Sequence, residues 1–300
     1  MKKFFAAFTA ALLVAMSFSA CSGTGTSGTD SGATESSSGE GLSGSINISG
    51  SSALQPLVQE AADNFKKTNK GVSITVNAGG SGTGLQNVAD GTVDIGNSDV
   101  FASEKLPDDK ASELVDHIVC VVGVAVIANP DIGVTNITKE QLKGIFTGKI
   151  TNWKDIGGKD QKIVLINRPK SSGTRSLFKK YGLDGEEEKT GEALTEDNSG
   201  TLKQNVAQTP GSVAYLALSY LTDDKVMSLS IDSVKPNYDN IYSGKYSIWG
   251  YEHMYTKGTP SGPAKSFLEY FSSTEAEKTI TDMGYGLSSK MTVKRDAPEK

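Results

Sequence analysis

Three strand-like segments of the chain each end in a turn made of Gly, Ser and Thr, and each turn leads into a helical pattern. The turns are residues 50–52, 80–83 and 171–174. Short apolar runs that alternate with helical patterns indicate an α/β fold. In open α/β sheets, ligands bind at the carboxyl ends of the strands, where these turns are expected to lie. The three turns therefore predict both the fold class and the place of a binding site.

The composition of these turns suits an anion. A helix N-terminus presents unpaired backbone N–H groups and the positive end of the helix dipole. Glycine lets the backbone approach a ligand closely, and Ser or Thr adds a neutral hydroxyl donor. A single turn of this kind is an ordinary helix cap. Three of them at the carboxyl ends of strands predict a site for an oxyanion.

Two charged residues narrow the chemistry of the predicted ligand. Arg168 lies four residues before Ser172, where its guanidinium can bind an oxyanion. Asp99 ends a predicted strand, and an ionised carboxylate repels an anion unless that anion donates a hydrogen bond to it. Hydrogen phosphate carries a P–OH group, whereas sulfate at neutral pH carries none. Asp99 therefore predicts selection of a protonated oxyanion, with a turn-capping surface aspartate as the alternative.

Charge and composition argue against several classes of protein. The chain has 30 basic and 35 acidic residues, a net charge of -5, which argues against a nucleic-acid partner. Two histidines and two cysteines leave no set for a disulfide framework or a cysteine-rich zinc site, so we expect no metal and no cofactor. Ser176 and Lys179 match an S-x-x-K motif, but the K-T-G at residues 189–191 lies too close to pair with it. We predict a protein without enzymatic activity.

The N-terminus has the form of a bacterial lipoprotein signal. Two lysines precede an apolar stretch over residues 4–16, which is too short for a membrane-spanning helix. Small residues and then Cys21 follow, an order that resembles the lipobox, although Phe18 departs from its usual leucine. We predict a signal peptide over residues 1–20 and a lipid anchor on Cys21. A plain secretory signal with an incidental cysteine is the alternative.

Residues 21–45 have the composition of a flexible tether. Between residues 22 and 45, 19 of 24 residues are Gly, Ser or Thr, and such a segment cannot bury a hydrophobic core. This segment would hold a folded domain near the outer face of a membrane. Cys120 is then the remaining free thiol, and its apolar neighbours predict a buried core residue.

From residue 46 onward, predicted strands and helices alternate. The predicted strands are residues 45–49, 73–77, 93–96, 119–128, 162–166 and 213–218. The predicted helices are residues 54–67, segments beginning at 85 and at 139, and residues 176–181, 264–271 and 274–283. Thr138 and Gln141 have the spacing of a capping box. The long apolar segment that ends near Pro130 predicts a crossing to a second lobe.

Four motifs in a fixed order resemble a known family. They are residues 50–57, 79–85, 94–99 and 168–175, with further similar stretches at residues 145–157 and 210–215. The similarity extends over residues 46–290 and resembles the phosphate-binding proteins of the Pst ABC transporter (the PstS family) in their lipoprotein form. It implies a type II periplasmic-binding-protein fold, which is α/β and two-lobed. Each lobe would be a mixed sheet flanked by helices, and two crossing hinge strands would join them.

The resemblance also implies a set of phosphate-binding residues. Asp99 would accept the phosphate proton, and the other members would donate hydrogen bonds. These donors are Ser52, the backbone of Ala53 and Ser81 from the first lobe, and Arg168, Ser172, Gly173 and Thr174 from the second. Lys170 stands where some family members have an acidic residue that pairs with the arginine, and Arg175 stands where some have serine. These departures bear on affinity and on the orientation of Arg168.

The function implied by the resemblance is solute capture for import. Lobe I would comprise residues 46–127 and 251–300, and lobe II residues 128–250, closing about crossing strands near 127–130 and 246–251. A monomer anchored on the extracytoplasmic face of the cell membrane would deliver inorganic phosphate to an ABC import permease. The alternatives are a receptor for another tetrahedral oxyanion such as sulfate or arsenate, a phosphate-ester hydrolase, and a sensor or adhesin that keeps the fold.

Overall fold

In a computed structural model of the protein, residues 41–190 and 194–297 are described. The predicted signal peptide (residues 1–20), Cys21 and the tether up to residue 40 lie outside the described residues. None of the helices in residues 41–190 and 194–297 combines the length and the apolar character that a membrane span requires.

The described residues form eleven strands and nine α-helices, which confirms the predicted α/β class. The strands are β1 (Ser43–Gly50), β2 (Gly71–Ala78), β3 (Ile95–Ser98), β4 (Leu114–Ala128), β5 (Asn136–Ile137), β6 (Val164–Asn167), β7 (Leu194–Thr195), β8 (Ser212–Ala217), β9 (Met227–Ser228), β10 (Ser230–Ile231) and β11 (Trp249–Lys257). The helices are α1 (Gln55–Thr68), α2 (Ser81–Ala89), α3 (Asp108–Ala111), α4 (Lys139–Phe146), α5 (Gly173–Leu177), α6 (Ser199–Gln208), α7 (Tyr238–Tyr242), α8 (Gly262–Tyr270) and α9 (Thr274–Asp282).

Most of these strands belong to one large mixed sheet. Its order is β2-β1-β3-β11-β4-β8-β6-β7, and β9 pairs with β4. β1 runs parallel to β2 and β3, β6 runs parallel to β7 and β8, and β11 is antiparallel to both β3 and β4. Because β1, β2 and β3 are parallel, their carboxyl ends lie at one edge of the sheet. The first two predicted turns and Asp99 follow directly from that edge.

Strand β4 takes part in both halves of the sheet. From Leu114 to Gly123 it pairs with β11, and from Val124 to Ala128 it pairs with β8. The exchange of strand partners marks a division within the sheet, while the lobe boundaries at 127/128 and 250/251 stay predictions.

Cys120, on β4, is fully buried in a hydrophobic cluster with residues of α1 and α8, as its apolar neighbours predicted.

The glycine-rich turn after β2 is shorter than predicted. Helix α2 begins at Ser81 and not at residue 85, so Gly82 and Gly84 lie within the helix, whereas Gly80 precedes it. A Cβ atom on Gly84 would lie 2.6 Å from the Cα of Gly50 and 2.8 Å from the carbonyl oxygen of Asn97. Only glycine permits this approach, so the segment serves the packing of α2 on β1 and β3 as well as the turn.

Other element boundaries differ from the sequence prediction by a few residues. β1 begins at Ser43, inside the predicted tether, because Ser43 pairs with Gly71 of β2. β4 begins at Leu114 and not at residue 119, because it pairs with β11 over its whole first half. These extensions depend on partner strands that are distant in sequence, which local hydropathy cannot indicate.

The helix starts show both a confirmed prediction and an error. The capping box of α4 is confirmed, since the Thr138 hydroxyl accepts from the Gln141 N–H and the Gln141 side chain accepts from the Thr138 N–H. The helix predicted over residues 176–181 begins earlier, at Gly173, and continues as a π-helical turn over Phe178–Gly182. The start moves because the Ser172 hydroxyl caps the helix.

Candidate functional site

The predicted polar turns lie together at the edge of the sheet. The turn after β1 leads into α1, the turn after β2 into α2, and the turn after β6 into α5. The second and third turns are in direct contact, because the Gly82 N–H donates to the Ser171 carbonyl over 2.8 Å. Asp99 follows β3 by one residue and is reached by side chains from both of these turns. The fold therefore assembles one polar site from segments that are far apart in sequence.

Asp99 is the acceptor at the centre of this site. It is 2% exposed, and its Oδ2 accepts a 2.6 Å hydrogen bond from the Thr174 hydroxyl. Its Oδ1 accepts from the Ser81 hydroxyl over 3.3 Å, and its own N–H donates to Ser81 Oγ over 3.0 Å. Each carboxylate oxygen has more than one acceptor position, so the group can accept a proton from a ligand beside these hydroxyls.

The turn after β1 contributes hydroxyls and carbonyls. Ser52 Oγ donates to the Asp197 carbonyl over 2.9 Å and lies 3.0 Å from Ser199 Oγ. The Ala53 N–H, which we expected to donate to an anion, donates to Ser51 Oγ over 3.1 Å. Tyr220 donates its hydroxyl to the Ser52 carbonyl over 2.6 Å, and burial raises the pKa of Tyr220 to about 12. Tyr220 therefore stays neutral, and the hydrogen bond from its hydroxyl holds this turn in place.

Arg168 provides the positive charge of the site. Its side chain is almost fully buried, and burial lowers the pKa of its guanidinium. Nη1 donates to the Asp197 carbonyl over 2.8 Å and Nη2 to Ser199 Oγ over 3.0 Å. No hydrogen-bond partner for Nε occurs among the residues that the structure describes. The guanidinium is thus oriented by neutral groups, and its Nε–H is left to donate to a ligand.

The turn after β6 places its residues against the turn after β2. Ser172 Oγ accepts from the Arg175 N–H over 3.2 Å, which leaves the hydroxyl proton of Ser172 able to donate. Gly173 packs so closely on Ser81 that a Cβ atom would collide with the serine hydroxyl and would lie 3.0 Å from Asp99 Cβ. A glycine is required here by this close approach.

The two departures from the family pattern do not disturb the guanidinium. Lys170 is exposed, and its carbonyl accepts from Lys105 Nζ over 2.7 Å. Arg175 donates from Nη1 to the Arg168 carbonyl over 2.5 Å, and its Nε lies 3.6 Å from the buried Glu188 carboxylate. The added charge of Arg175 is therefore paired, and Arg168 takes its orientation from Asp197 and Ser199.

A fourth polar turn belongs to the site and was missed from the sequence. Residues 198–201 follow β7 and open α6, and they consist of Asn, Ser, Gly and Thr, like the other turns. Asn198 caps α6 by accepting from the Thr201 N–H over 3.0 Å, while Ser199 is fully buried against Arg168 and Ser52. The composition of this turn was the available signal. The strand before it is two residues long, which is too short for a periodicity to be recognised.

Two further charged groups lie near the ligand-facing turns. Lys105 donates to the Ser172 carbonyl over 3.3 Å, and burial lowers the pKa of this lysine. Burial raises the pKa of the Asp197 carboxyl, whereas nearby Arg168 lowers it. Within residues 41–190 and 194–297, no cluster of His, Cys, Asp and Glu has the form of a metal site. At its centre the site offers neutral hydroxyls, the Arg168 guanidinium and the Asp99 carboxylate, with Lys105 and Asp197 close by, and this set suits a protonated tetrahedral oxyanion.

Comparisons with known proteins agree with this chemistry. A family model described as a PBP superfamily domain matches residues 29–275. The phosphate-binding protein PstS of Bacillus subtilis (strain 168) is 58% identical over 259 residues, which is 86% of this chain and 85% of that protein. The matched family range includes every predicted binding residue from Ser52 to Thr174.

Solved structures give the same result for the fold. A chain from Clostridium perfringens, described as a phosphate ABC transporter substrate-binding protein with bound phosphate, matches with a TM-score of 0.75 at 30% identity. The match covers 81% of this chain and 99% of that chain. An ABC-type phosphate transport receptor from Vibrio cholerae matches with a TM-score of 0.65 at 27% identity, covering 81% of this chain and 100% of that chain.

Proposed function

The chain belongs to the PBP superfamily and, within it, to the PstS family of phosphate-binding proteins, and on this basis we propose that it captures inorganic phosphate for import by an ABC transporter. The observation that carries the proposal is the 58% identity to the Bacillus subtilis protein over most of both chains. The role is solute binding and not catalysis. The fold is the two-lobed one of the phosphate-binding structures.

In our proposal, phosphate is held by the residues of the assembled turns. The proposed donors are Ser52, the Ala53 backbone, Ser81, Arg168, Ser172, Gly173 and Thr174, and Asp99 accepts the P–OH proton. In the structure the hydroxyls of Ser52, Ser81 and Thr174 and the Ala53 N–H donate to protein acceptors, so these groups would donate to the ion only by leaving those partners. Burial of Asp99 and Arg168 supports this assignment, because hydrogen bonds to charged groups are stronger away from water. Ser199 joins the set as the group that orients Arg168.

A carboxylate at the centre of an anion site gives selectivity. Phosphate offers Asp99 a proton at neutral pH, whereas sulfate would place an acceptor against an acceptor. Arsenate is protonated in the same way as phosphate, so Asp99 does not separate these two ions. The acceptor therefore excludes sulfate and leaves arsenate as a competitor.

Domain closure is part of the proposal. Lobe I would consist of residues 46–127 with 251–300 and lobe II of residues 128–250, with β4 and β11 as the crossing strands. The exchange of β4 partners after Gly123 supports a division in this region. Hydrogen bonds from Gly82 to Ser171 and from Ser52 to Asp197 would form between the lobes when they close.

The N-terminal sequence supports a proposal for the location of the protein. We propose that Cys21 carries the lipid and that residues 22–45 hold the binding domain on the extracytoplasmic face of the cell membrane. The partners are then phosphate and the permease subunits of the importer. A monomer suffices, because one chain supplies all the residues of the proposed site.

Calorimetric titration of the purified chain with phosphate and with sulfate tests the function. We expect tight binding of one phosphate per chain and little heat from sulfate. Equal affinity for both ions would show a general oxyanion receptor, and release of phosphate from a phosphate ester would show a hydrolase.

A further inference from the structure

Glu252 is a fully buried carboxylic acid that has no role in the site as described so far. It lies on β11 and is 0% exposed. Neither of its carboxyl oxygens has a hydrogen-bond donor among the described residues. Burying an ionised carboxylate without hydrogen-bond donors or a cation costs roughly several kcal/mol of hydration free energy. Such a group therefore normally holds a proton. A protonated Glu252 then needs an acceptor for the hydrogen bond of its hydroxyl.

The register of the sheet places Glu252 beside Asp99. β11 and β3 are antiparallel, with Tyr255 opposite Gly96, Met254 opposite Asn97 and His253 opposite Ser98. Glu252 and Asp99 are the next residues along the two chains, and Asp99 lies in a bend one residue beyond the end of β3. Burial, and then the charge of the Asp99 carboxyl and a hydrogen bond to it, raise the pKa of Glu252. Two acceptors can share this position only if one of them carries a proton.

Asp99 is the ionised member of the pair. Its two oxygens already accept from the hydroxyls of Ser81 and Thr174, whereas Glu252 receives no donor. Donors to a carboxylate favour its charged form. The proton therefore resides on Glu252, and its hydroxyl faces Asp99.

The titratable groups found to interact with Glu252 in the described part of the chain are acidic or neutral. Among the described residues, the titratable groups that interact with Glu252 include Asp99 after β3, Cys120 on β4, Tyr220 after β8, Tyr238 on α7 and Tyr285 after α9. The three tyrosines donate their hydroxyls to backbone carbonyls and so are not donors to Glu252. Burial first, and then the Asp99 carboxyl, raise the pKa of Glu252 well above its usual range.

We propose that Glu252 is a positioning residue for phosphate selection, which stays protonated and donates a hydrogen bond to Asp99. This inference rests on the proposed function, since Asp99 is the acceptor for the phosphate proton there. With Glu252 as a third donor, Asp99 keeps its charge in a buried site and remains an acceptor. Without that donor, Asp99 would more readily take up a proton itself. A protonated Asp99 would donate to an anion and so would no longer reject sulfate.

Two substitutions separate this role from simple packing. Glu252→Gln keeps a donor to Asp99 and the size of the side chain, whereas Glu252→Met keeps the size and removes the donor. We expect the phosphate-over-sulfate preference to fall by about tenfold in Glu252→Met, the effect of about 1.4 kcal/mol, and to fall much less in Glu252→Gln. Glu140→Met, on an exposed residue at the start of α4, is the control for the substitution itself.

Infrared spectroscopy of the phosphate-free chain at neutral pH tests the proton directly. The C=O band of a protonated carboxyl should be present in the wild type and absent from Glu252→Gln, and a shifted band should appear in Glu252→Met as Asp99 takes the proton. Glu188→Gln is the matched control, because Glu188 is the other glutamate in the described part of the chain that is buried and whose pKa burial raises.

Phosphate titration and infrared spectroscopy test the proposed function and the inference about Glu252 separately. A wild-type chain that binds no phosphate would refute the proposed function, while the infrared band would still decide where the proton lies. If Glu252→Gln retains the wild-type band, or if both Glu252 variants change the sulfate preference equally, the inference about Glu252 is wrong.

Discussion

The hydroxyl of Thr174 donates a 2.6 Å hydrogen bond to Oδ2 of Asp99, and both residues are 2% exposed. This bond joins the start of α5 to the end of β3. It means that the acceptor and a donor of the proposed phosphate site are held against each other by the fold. A phosphate ion bound here would share the Asp99 carboxylate with Thr174, so the donor set and the selectivity of Asp99 are linked.

Replacing Asp99 by asparagine should weaken the rejection of sulfate. An asparagine amide can donate to sulfate, and it removes the negative charge that repels the ion. We expect the phosphate-over-sulfate affinity ratio to fall by at least about tenfold, because a hydrogen bond to a charged group contributes about 1.5–3 kcal/mol. Calorimetric titration with both ions measures the ratio. Asp109→Asn, on the exposed helix α3, is the control, and an unchanged ratio in Asp99→Asn would point to a different acceptor.

Replacing Ser199 by alanine should weaken phosphate binding through Arg168. The serine hydroxyl accepts the Nη2 hydrogen bond of Arg168, and its loss leaves a buried guanidinium donor unpaired. A lost hydrogen bond of this kind costs about 1 kcal/mol, so the phosphate Kd should rise about fivefold. Ser228→Ala, on exposed strand β9, is the matched control in the same titration. Equal affinities for the two variants would mean that Ser199 does not orient the arginine.

Replacing Gly173 by alanine should disrupt the contact between the second and third turns. The added methyl group would collide with Ser81 Oγ and press on Asp99 Cβ. We expect a loss of about 1–3 kcal/mol in the free energy of unfolding, together with a phosphate affinity at least about tenfold lower. Gly79→Ala is the control, because its methyl group would make an ordinary contact 3.5 Å from Thr83. Similar losses in both variants would argue against a special contact at Gly173.

The free energy of unfolding of the Glu252→Gln variant should increase relative to that of the wild type as the pH rises. Burial and then the neighbouring Asp99 raise the folded-state pKa of Glu252 above its ordinary value of 4.5, so the folded chain retains a proton that the unfolded chain releases. This stabilising contribution is complete below about pH 4.5 and is lost as the pH rises toward the folded-state pKa. The difference in free energy of unfolding should therefore grow by about 1.4 kcal/mol per pH unit in this window. Urea unfolding at several pH values measures it, and a constant difference would mean that Glu252 is ionised.

Cys21→Ala should abolish lipid attachment in cells. The wild type should incorporate radioactive palmitate and fractionate with membranes, because Cys21 is the predicted lipidation site. Cys120→Ala is the matched control, since Cys120 is the other cysteine of the chain and is buried in the core. Labelling should persist in the control. Labelling that survives the Cys21 substitution, or an unlabelled wild type, would contradict the lipid anchor.

Local patterns predicted the elements of this fold well where the signal was itself local. The capping box at Thr138 and Gln141 depends on two residues within one helical turn, and the structure confirms it. The start of α2 at Ser81 was missed, because the glycines of residues 79–84 favour a turn by composition, whereas Gly84 is needed where the helix packs on the backbones of Gly50 and Asn97. Packing of this kind brings distant segments of the chain into contact and leaves no periodic pattern in the sequence of either segment.

The site was predicted to a similar degree and for the same reason. The Gly, Ser and Thr turns and Asp99 could be identified from composition at the ends of strands, and the fold brings Ser81, Asp99 and Thr174 into contact. The partners of Arg168 could not be identified in this way. Ser199 and Asp197 reach it from a turn that follows a two-residue strand, so no periodicity marks their position.

The sequence by itself determined the α/β class, the oxyanion-binding character of the turns and the family resemblance, because these depend on residue types at short spacings. The tertiary structure decided which groups surround those residues. The pairing of β11 with β3 places Glu252 beside Asp99, although the two are separated by most of the domain in sequence. Strand register is set by contacts between distant segments, so the proton state of the central acceptor could be inferred only once the sheet was assembled.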